Sequence, residues 1–483
     1  VSDPAAVAPQ RPLAGIHFED GYGALGERFV ERIAPTPLRA PYLVAFNPEV
    51  ARLLAPDGAL RPDGASLEVM AGNAIPAGAD PWAAVYAGHQ FGVFVRQLGD
   101  GRAITLGEVQ SGAGRWEWQL KGAGMTAFSR FGDGRAVLRS TVREYLCSEA
   151  MHHLGIPTTR ALGIAGSADP VYREVPETAA VLSRVAPSHV RFGTFEYFHY
   201  RGDDDAVRLL ADTTIARFFG EIDPAGENTY ADFLRAVAVR TARLVAKWQA
   251  VGFEHGVMNT DNMSILGLTL DYGPFGFMER YDPGWVCNHS DETGRYAFDR
   301  QPGVALWNCH ALAAALVALV PRDDAQAALG AFEPAYRAAY VGAMRGKLGL
   351  SEERPDDVDL ILKLLDALAR DGADYTTFFR RLCDDPQTGD ALAPWLARYR
   401  ARIADEALPA SERRAGMLRV NPAYVLRNHL AQAAIERAEA GDFGEVARLA
   451  DVLRAPYDER ADCERYAEPA AAGTPAVEVS CSS

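Results

Sequence analysis

Between about residues 80 and 185 the hydrophobic positions recur every second residue, the period of a half-buried strand. Phe94, Arg96 and Leu98 alternate with Val93, Val95 and Gln97, and Gly99-Asp100-Gly101 follows as a hairpin-type turn. Ala103-Ile104-Thr105-Leu106 is the expected return strand. In Trp116-Glu117-Trp118-Gln119-Leu120-Lys121 the alternation is strict: Trp116, Trp118 and Leu120 take one face, and Glu117, Gln119 and Lys121 the other. The period then lengthens. Leu138, Val142, Tyr145, Leu146 and Met151 predict a helix over 137–153, ended by Gly155 and Pro157. From 205 to 320 helical patterns dominate, interrupted by a loop-and-hairpin region at 255–275. From 324 to 455 the chain is helical and amphipathic. Leu360, Leu364, Leu365 and Leu368 form one stripe, and Val425, Leu430 and Ile435 belong to another. The first 75 or so residues, rich in Pro, Ala and Gly, read as an extension wrapped on a core, and those from about 468 as a Pro/Ala-rich tail. No internal repeat is visible.

Composition narrows the class. At 483 residues and 48% hydrophobic, the chain can build two or more packed units and is too apolar for disorder. A net charge of -15 argues against nonspecific nucleic-acid binding, which needs a basic surface, although local basic clusters can still hold a nucleotide. No apolar run reaches the roughly 20 residues that span a bilayer. The best, Ala311 to Val320, reads as a buried core helix. The N-terminal residues lack the charged start and apolar stretch of a signal peptide. The expectation is a cytoplasmic protein with no membrane or nucleic-acid partner. It is expected to be a monomer, because no self-complementary apolar stripe stands out. Cys147, Cys287, Cys309, Cys383, Cys463 and Cys481 include no C-x-x-C pair, which argues against structural zinc, and the size of the chain argues against a dense disulfide framework. Cys481 sits in a small-residue tail that can reach other surfaces.

The most informative stretch runs from His255-Gly256-Val257-Met258-Asn259-Thr260-Asp261-Asn262 to Asp271-Tyr272-Gly273. Gly267, near the middle of the intervening apolar run, predicts a turn folding 263–266 against 268–270. Asp271 would then return beside Asn262. A carboxamide and a carboxylate together are what Mg2+ asks of a protein, water and phosphate filling the remaining positions. The pattern resembles the catalytic loop and metal-binding strand of kinases, with Asn262 and Asp271 as ligands. Where kinase-like phosphotransferases often place a catalytic Asp, this chain has Val257, which accepts no proton; Asp261 is the replacement. The competing reading makes His255, Asn259 and Asp261 loop-capping residues and Asp271 the start of a turn with Gly273.

Lys121, on the polar face of a strand, precedes a helix carrying Glu144. The order matches the kinase pairing in which lysine positions phosphates and glutamate positions lysine. The alternative is a solvated edge lysine and a capping box, Thr141-x-x-Glu144. Gly99-Asp100-Gly101-Arg102 and Gly132-Asp133-Gly134-Arg135 are two similar tight turns whose backbone N–H groups can approach a nucleotide. No G-x-G-x-x-G loop precedes Lys121. Arg184 and Arg191 are two planar forks able to clamp phosphate oxygens; the alternative is surface pairing in an acidic protein. Strands, one helix and further strands suit a small nucleotide-binding lobe.

The strings Tyr86-Ala-Gly-His-Gln-Phe-Gly92, Leu120-Lys-Gly-Ala-Gly124, Phe131-Gly-Asp-Gly-Arg-Ala-Val-Leu-Arg-Ser140, Arg143-Glu-Tyr-Leu146, His255 to Asn262, Asn288-His-Ser-Asp291 and the final Ser-Cys-Ser-Ser resemble the selenoprotein O family over nearly the whole chain. The resemblance implies an α+β, protein-kinase-like two-lobe fold with an N-terminal extension and additional C-terminal helices. Its expected parts are an extension over 1–78, an N-lobe over 79–190, a C-lobe over 191–350, a helical region over 351–467 and a tail over 468–483. The family looks like pseudokinases that bind ATP flipped and transfer AMP to Ser, Thr or Tyr of proteins. By that resemblance Gly99, Gly101, Arg102, Lys121, Asp133, Gly134, Arg184 and Arg191 contact ATP and Asp261 accepts the proton. Asn262 and Asp271 bind Mg2+, or Mn2+, and Glu144 orients Lys121. UTP in place of ATP stays open. Cys481 stands where some members carry selenocysteine, and bacterial-type relatives imply a regulatory disulfide from the tail to Cys287. The competing functions are a phosphotransferase, against which Val257 speaks, and an inactive redox-sensing scaffold, against which the intact Asn262/Asp271 pair speaks.

Overall fold

A computed structural model of the chain describes residues 10–11, 13, 16–58, 60–384, 391–471, 473–475 and 477–480. The alternating first half builds an antiparallel sheet. Its strands are β1 (Phe18–Glu19), β2 (Val30–Arg32), β3 (Tyr42–Phe46), β4 (Trp82–Ala84), β5 (Ala103–Ser111), β6 (Gly114–Lys121), β7 (Ala136–Val137), β8 (Arg160–Tyr172) and β9 (Pro176–Ala186). The spatial order is β2-β4-β5-β6-β9-β8-β3, with β1 added on β5 and β7 on β9. Strands from the first 46 residues thus extend both ends of the sheet, and the helices Pro48–Leu54 and Gly64–Met70 pack on it.

The two faces of β6 decide where the chemistry goes. Trp118 and Leu120 are fully buried with Leu162, Val181 and Val185 in a core beneath residues 48–70. Each such side chain contributes about 1.5–3 kcal/mol of burial. The opposite face carries Glu117, Gln119 and Lys121, and it is buried too: α1 (Leu138–His153) packs on the neighbouring β8 and β9 and reaches Lys121 through Glu144, Arg184 lies against Gln119, and His189 covers Glu117. The alternation assigned the faces correctly, but the polar one faces protein rather than water. α1 lies between the sheet and the helices Asn428–Glu439 and Gly444–Leu453, so even Arg143, Glu144 and Glu149 are buried on it.

The expected hairpin from 93–98 into 103–106 does not form. Val93–Val95 pairs instead with Gly88–Gln90 in a separate two-stranded hairpin, and β5 pairs with β4 and β6. Residues 98–100 run beside 84–86: the Leu98 amide donates to the Tyr86 carbonyl (3.0 Å), the Asp100 amide to the Ala84 carbonyl (2.9 Å), and the Ala84 amide to the Asp100 carboxylate (3.1 Å). The turn that does close a hairpin is Phe91-Gly92, both at positive φ (+50° and +84°), the backbone of a two-residue hairpin loop.

Beyond the sheet the chain is mostly helical, including α2 (Phe192–His199), α3 (Thr229–Val251) and α4 (Gln301–Ala315). The non-helical interruption is longer than 255–275. It runs from Gly252 to the short 3-10 turn at Phe298–Arg300, broken by a 3-10 turn at Thr260–Asn262 and by a two-stranded pairing of Phe253–Glu254 on Gly276–Phe277. The Ala311–Val320 run is helical only to Ala315, and Val317 is exposed. Leu360, Leu364 and Leu368 are buried as their stripe predicts, in a core of C-terminal helices. Val425 is buried but precedes the helix that holds Leu430 and Ile435. Among the described residues no helix is long and apolar enough to cross a membrane.

Candidate active site

β6 ends at Lys121, on its polar face. Gly122 follows at φ +98°, where a Cβ would meet the Ala180 carbonyl at 2.5 Å, so only glycine lets the strand leave the sheet here. The Lys121 ammonium meets Glu144 of α1 (2.5 Å) and also bonds Asp271. Glu144 is mid-helix, and the Thr141 hydroxyl donates to the Leu138 carbonyl, so Thr141-x-x-Glu144 is not a capping box. Lys121 is buried, which excludes a solvated edge residue.

The loop between the two small strands brings the acids to this lysine. Gly256 (φ +76°) lies where a Cβ would fall 2.1 Å from the Pro274 carbonyl. The buried His255 ring bonds the Leu270 carbonyl through Nε2 (2.9 Å), and burial lowers its pKa, favouring the neutral ring. Gly267 turns at φ +71°, and Met263 pairs antiparallel with Thr269, the fold-back expected of this segment. Asp271 has φ +61°, an uncommon conformation that Asp tolerates better than most residues. Burial pushes its carboxyl up, but Lys121, Arg184 and Arg102 outweigh that and hold it well below the usual carboxylate range.

His255 and Asn259 hold the loop together. The Asn259 side-chain oxygen accepts from the Tyr296 hydroxyl (2.6 Å) and the Phe91 amide (3.2 Å). Asp261 differs. One carboxylate oxygen accepts from the Gln90 amide (3.2 Å), while the other is buried with no partner among the described residues. Burial raises its pKa to about 7 against the opposing pull of Arg191. Two glycines permit this burial: a Cβ on Gly88 would meet Asp261 Oδ1 at 2.6 Å, and one on Gly193 would meet the Ala87 carbonyl at 2.1 Å.

Lys121, Gln90, Asn259, Asp261 and Asp271 line one cavity of about 530 Å³. Of the predicted residues it brings together Gly99, Gly101, Arg102, Lys121, Asp133, Gly134, Asp261, Asn262 and Asp271, with Val257 among them. Gly99 and Gly101 lie against Phe128, where added Cβ atoms would fall 2.5 Å from its ring and 2.7 Å from its carbonyl oxygen. Arg102, Lys121, Arg130, Arg135 and Arg173 face it against Asp133, Asp261 and Asp271, a cationic pocket in an acidic protein.

Of the residues predicted to act on nucleotide or metal, three do not line it. Glu144 stands behind Lys121. Arg184, opposite Gln119 in the sheet, is committed to the Glu144 carboxylate (3.0 Å) and the Gln119 side-chain amide oxygen (3.1 Å), 3.7 Å from Asp271. Arg191 donates to the Asp261 main-chain carbonyl (2.8 Å) and stacks on Tyr86. Both arginines are buried, so neither is a surface pair.

Sequence reasoning missed Arg173, which holds Asp133 (2.8 and 2.9 Å), and assigned no role to Gln90, although its string was conspicuous. Cys287 is buried and pairs with no cysteine of the described residues; its thiol donates to the Pro274 carbonyl (2.7 Å). Cys481 lies outside the described residues. Just before it, Val479 pairs in parallel with Asn288 and its carbonyl accepts from the His289 amide (2.9 Å). Among the described residues no group of three or more His, Cys, Asp or Glu is placed to hold a metal.

The family model described as protein adenylyltransferase SelO matches residues 12–454. A protein nucleotidyltransferase YdiU of Myxococcus xanthus is 53% identical over 489 residues, covering 98% of this chain and 99% of the relative. Those of Thiobacillus denitrificans and Thioalkalivibrio sulfidiphilus are each 51% identical with the same coverage. With the cationic cavity and its paired lysine and acids, this places the chain in the protein adenylyltransferase SelO family, as an enzyme of the nucleotidyltransferase class.

Proposed function

We propose that this enzyme transfers the AMP moiety of ATP to Ser, Thr or Tyr hydroxyls of proteins and releases pyrophosphate. The observation that carries the reading is Asp261: a buried carboxyl with an unpartnered oxygen, lining the same cavity as Lys121, Asn262 and Asp271. Its pKa of about 7 suits a base that takes a hydroxyl proton near neutrality. Val257, at the position of a phosphotransferase base, offers no acceptor.

In this reading the hydroxyl oxygen attacks the α-phosphorus and its proton passes to Asp261. The bond from the α-phosphorus to the oxygen bridging the β-phosphate breaks, and pyrophosphate leaves with the electron pair. Lys121, Arg102 and the cations around Asp133 hold the phosphates in place as charge moves to the leaving group. Glu144 and Arg184 fix Lys121 from behind, and Arg191 fixes the Asp261 backbone. Asn262 and Asp271 suit a hard divalent cation, since both offer oxygen and Asp271 is held ionised. Mg2+ or Mn2+, when bound, supplies charge stabilisation to the phosphate oxygens. We read the sheet with its lysine–glutamate pair above a largely helical region as a kinase-like two-lobe arrangement. A disulfide between Cys287 and Cys481 belongs to the same reading, supported by Val479 running beside Asn288.

The test is the position of label. ATP labelled at the α-phosphate should mark protein, and γ-labelled ATP should not. Intact mass should show an AMP adduct. A phosphate adduct with γ-label in protein would replace this reading with phosphoryl transfer.

A further inference from the structure

Two of the conspicuous strings, 86–92 and 288–291, converge just outside the nucleotide cavity. The Asp291 carboxylate accepts from the Arg295 and Tyr296 amides (2.9 and 2.7 Å), and Tyr296 bonds both Asn259 and the Phe91 amide (2.6 and 2.9 Å). The Phe91-Gly92 turn is thereby fixed two links from Asp261. Phe91 lines the nucleotide cavity and also a second groove of about 500 Å³. Two large apolar side chains here are exposed: Phe91 of its lining at 37%, and Trp307, on which Arg295 stacks, at 38%. His89 joins them, with ring centroids 5.1 Å from Phe94 and 5.2 Å from Trp307.

The groove also holds a cation, Arg295, that no carboxylate of the described residues pairs with, although it lies beside the Tyr296 hydroxyl. The Arg295 guanidinium lies 4.8 Å from the Trp307 ring centroid and against Gly92, where a Cβ would approach it to 3.2 Å. Its Nε is buried with no hydrogen-bond partner, and no carboxylate of the described residues forms an ion pair with it. The neighbouring Arg300 is committed to the Thr293 and Gly294 carbonyls, and Asp299 lines the groove beside it. Arg295 is therefore the cation left for an incoming anion.

We infer that this groove binds the acceptor-bearing segment of the protein substrate, taking an acidic side chain on Arg295 and an apolar one on Phe91 and Trp307. The inference rests on the transferase reading for what is bound, and three observations support it: continuity with the cavity through Phe91, the aromatic exposure, and the unmatched guanidinium. It makes the enzyme selective for hydroxyls flanked by acidic and apolar residues.

The probe is a short fluorescein-labelled peptide with a central Tyr flanked by Glu and Leu, against the same peptide with Lys for Glu. Anisotropy titrations are run on the full chain with a non-hydrolysable ATP analogue. The wild type should prefer the acidic peptide by about tenfold. Arg295→Glu should abolish or reverse the preference, Arg295→Gln should abolish it, and Trp307→Ala should weaken both peptides. Affinity for the ATP analogue should stay unchanged in all three, which also reports folding. Equal affinity of the wild type for both peptides overturns the inference, as does a preference surviving both Arg295 variants. Incorporation of α-label into protein is measured in parallel. Transfer without the peptide preference overturns the groove alone; the preference without transfer overturns the transferase reading alone.

Discussion

Replacing Glu144 by Gln tests the buried charge relay with little change of volume. Glu144 holds Lys121 with one oxygen (2.5 Å) and Arg184 with the other (3.0 Å), and all three are buried. Glutamine keeps one acceptor but turns its amide N–H groups toward a second cation. Breaking a buried pair from one side costs about 3–5 kcal/mol, because a charge is left unmatched. Here Asp271 still reaches both cations, bonding Lys121 and lying 3.7 Å from Arg184, so the low end, about 3 kcal/mol, is expected. At roughly 2.1 cal/mol/K per residue, unfolding of all 483 residues as one unit turns that into a melting temperature about 3 °C lower. The effect on transfer should be larger. With Glu144 neutral, Lys121 is drawn onto Asp271, away from the phosphates and onto the expected metal ligand. Loss of one charge-assisted contact worth about 1.5–3 kcal/mol lowers kcat/KM by roughly ten- to a hundredfold. Differential scanning calorimetry and α-label incorporation read the two effects. A variant with an unchanged melting temperature and transfer within about twofold of wild type would refute the relay.

Asp271→Asn, which tolerates the same positive φ, should keep the fold and reduce transfer by more than about a hundredfold; α-label incorporation above a tenth of wild type would remove Asp271 from the machinery. Gly256→Ala puts a methyl group 2.1 Å from the Pro274 carbonyl at φ +76°, so a loss of more than about 3 kcal/mol is expected, read as a lower melting temperature or failure to fold. Glu254 is fully buried, and burial raises its pKa to about 8 even though it accepts the Cys287 amide. Because the folded value lies above the unfolded one, the stability it allows is complete below about pH 4.5 and is lost as pH rises toward 8. Glu254→Gln should therefore gain on the wild type across that window, by at most about 4–5 kcal/mol, in urea unfolding at several pH values. A pH-independent difference between the two proteins would contradict a neutral Glu254 in the fold.

The parts of this site that can be read from sequence are those set by local rules. Alternation assigns Lys121 to a face, helical spacing places Glu144 one helix later, and Gly267 sets the turn that returns Asp271. Each rule spans a few residues and leaves a visible period or a glycine. Gln90 and Asp261 meet across 171 positions, and Arg173 meets Asp133 across 40, with no period linking either pair. Nor does alternation reveal what covers a face: Gln119, Lys121 and Arg184 are polar on a strand pattern that ordinarily points to water, yet all three are buried, Lys121 and Arg184 against Glu144 of α1 and Gln119 against Arg184. The misplaced hairpin has the same origin. Gly99-Asp100-Gly101 has turn chemistry, but Asp100 spends its carboxylate on Ala84 and Gln119, contacts that exist only once the sheet has formed. The same distinction bears on Asp261. An aspartate in a polar loop reads as a cap, and what suits it to the base proposed above is burial, supplied by Gly88 and Gly193 from two other segments. The acid is thus specified in the loop and its proton affinity elsewhere. A Gly88→Ala substitution, which touches no phosphate or metal ligand, should therefore displace Asp261 and shift the pH profile of transfer while ATP affinity holds.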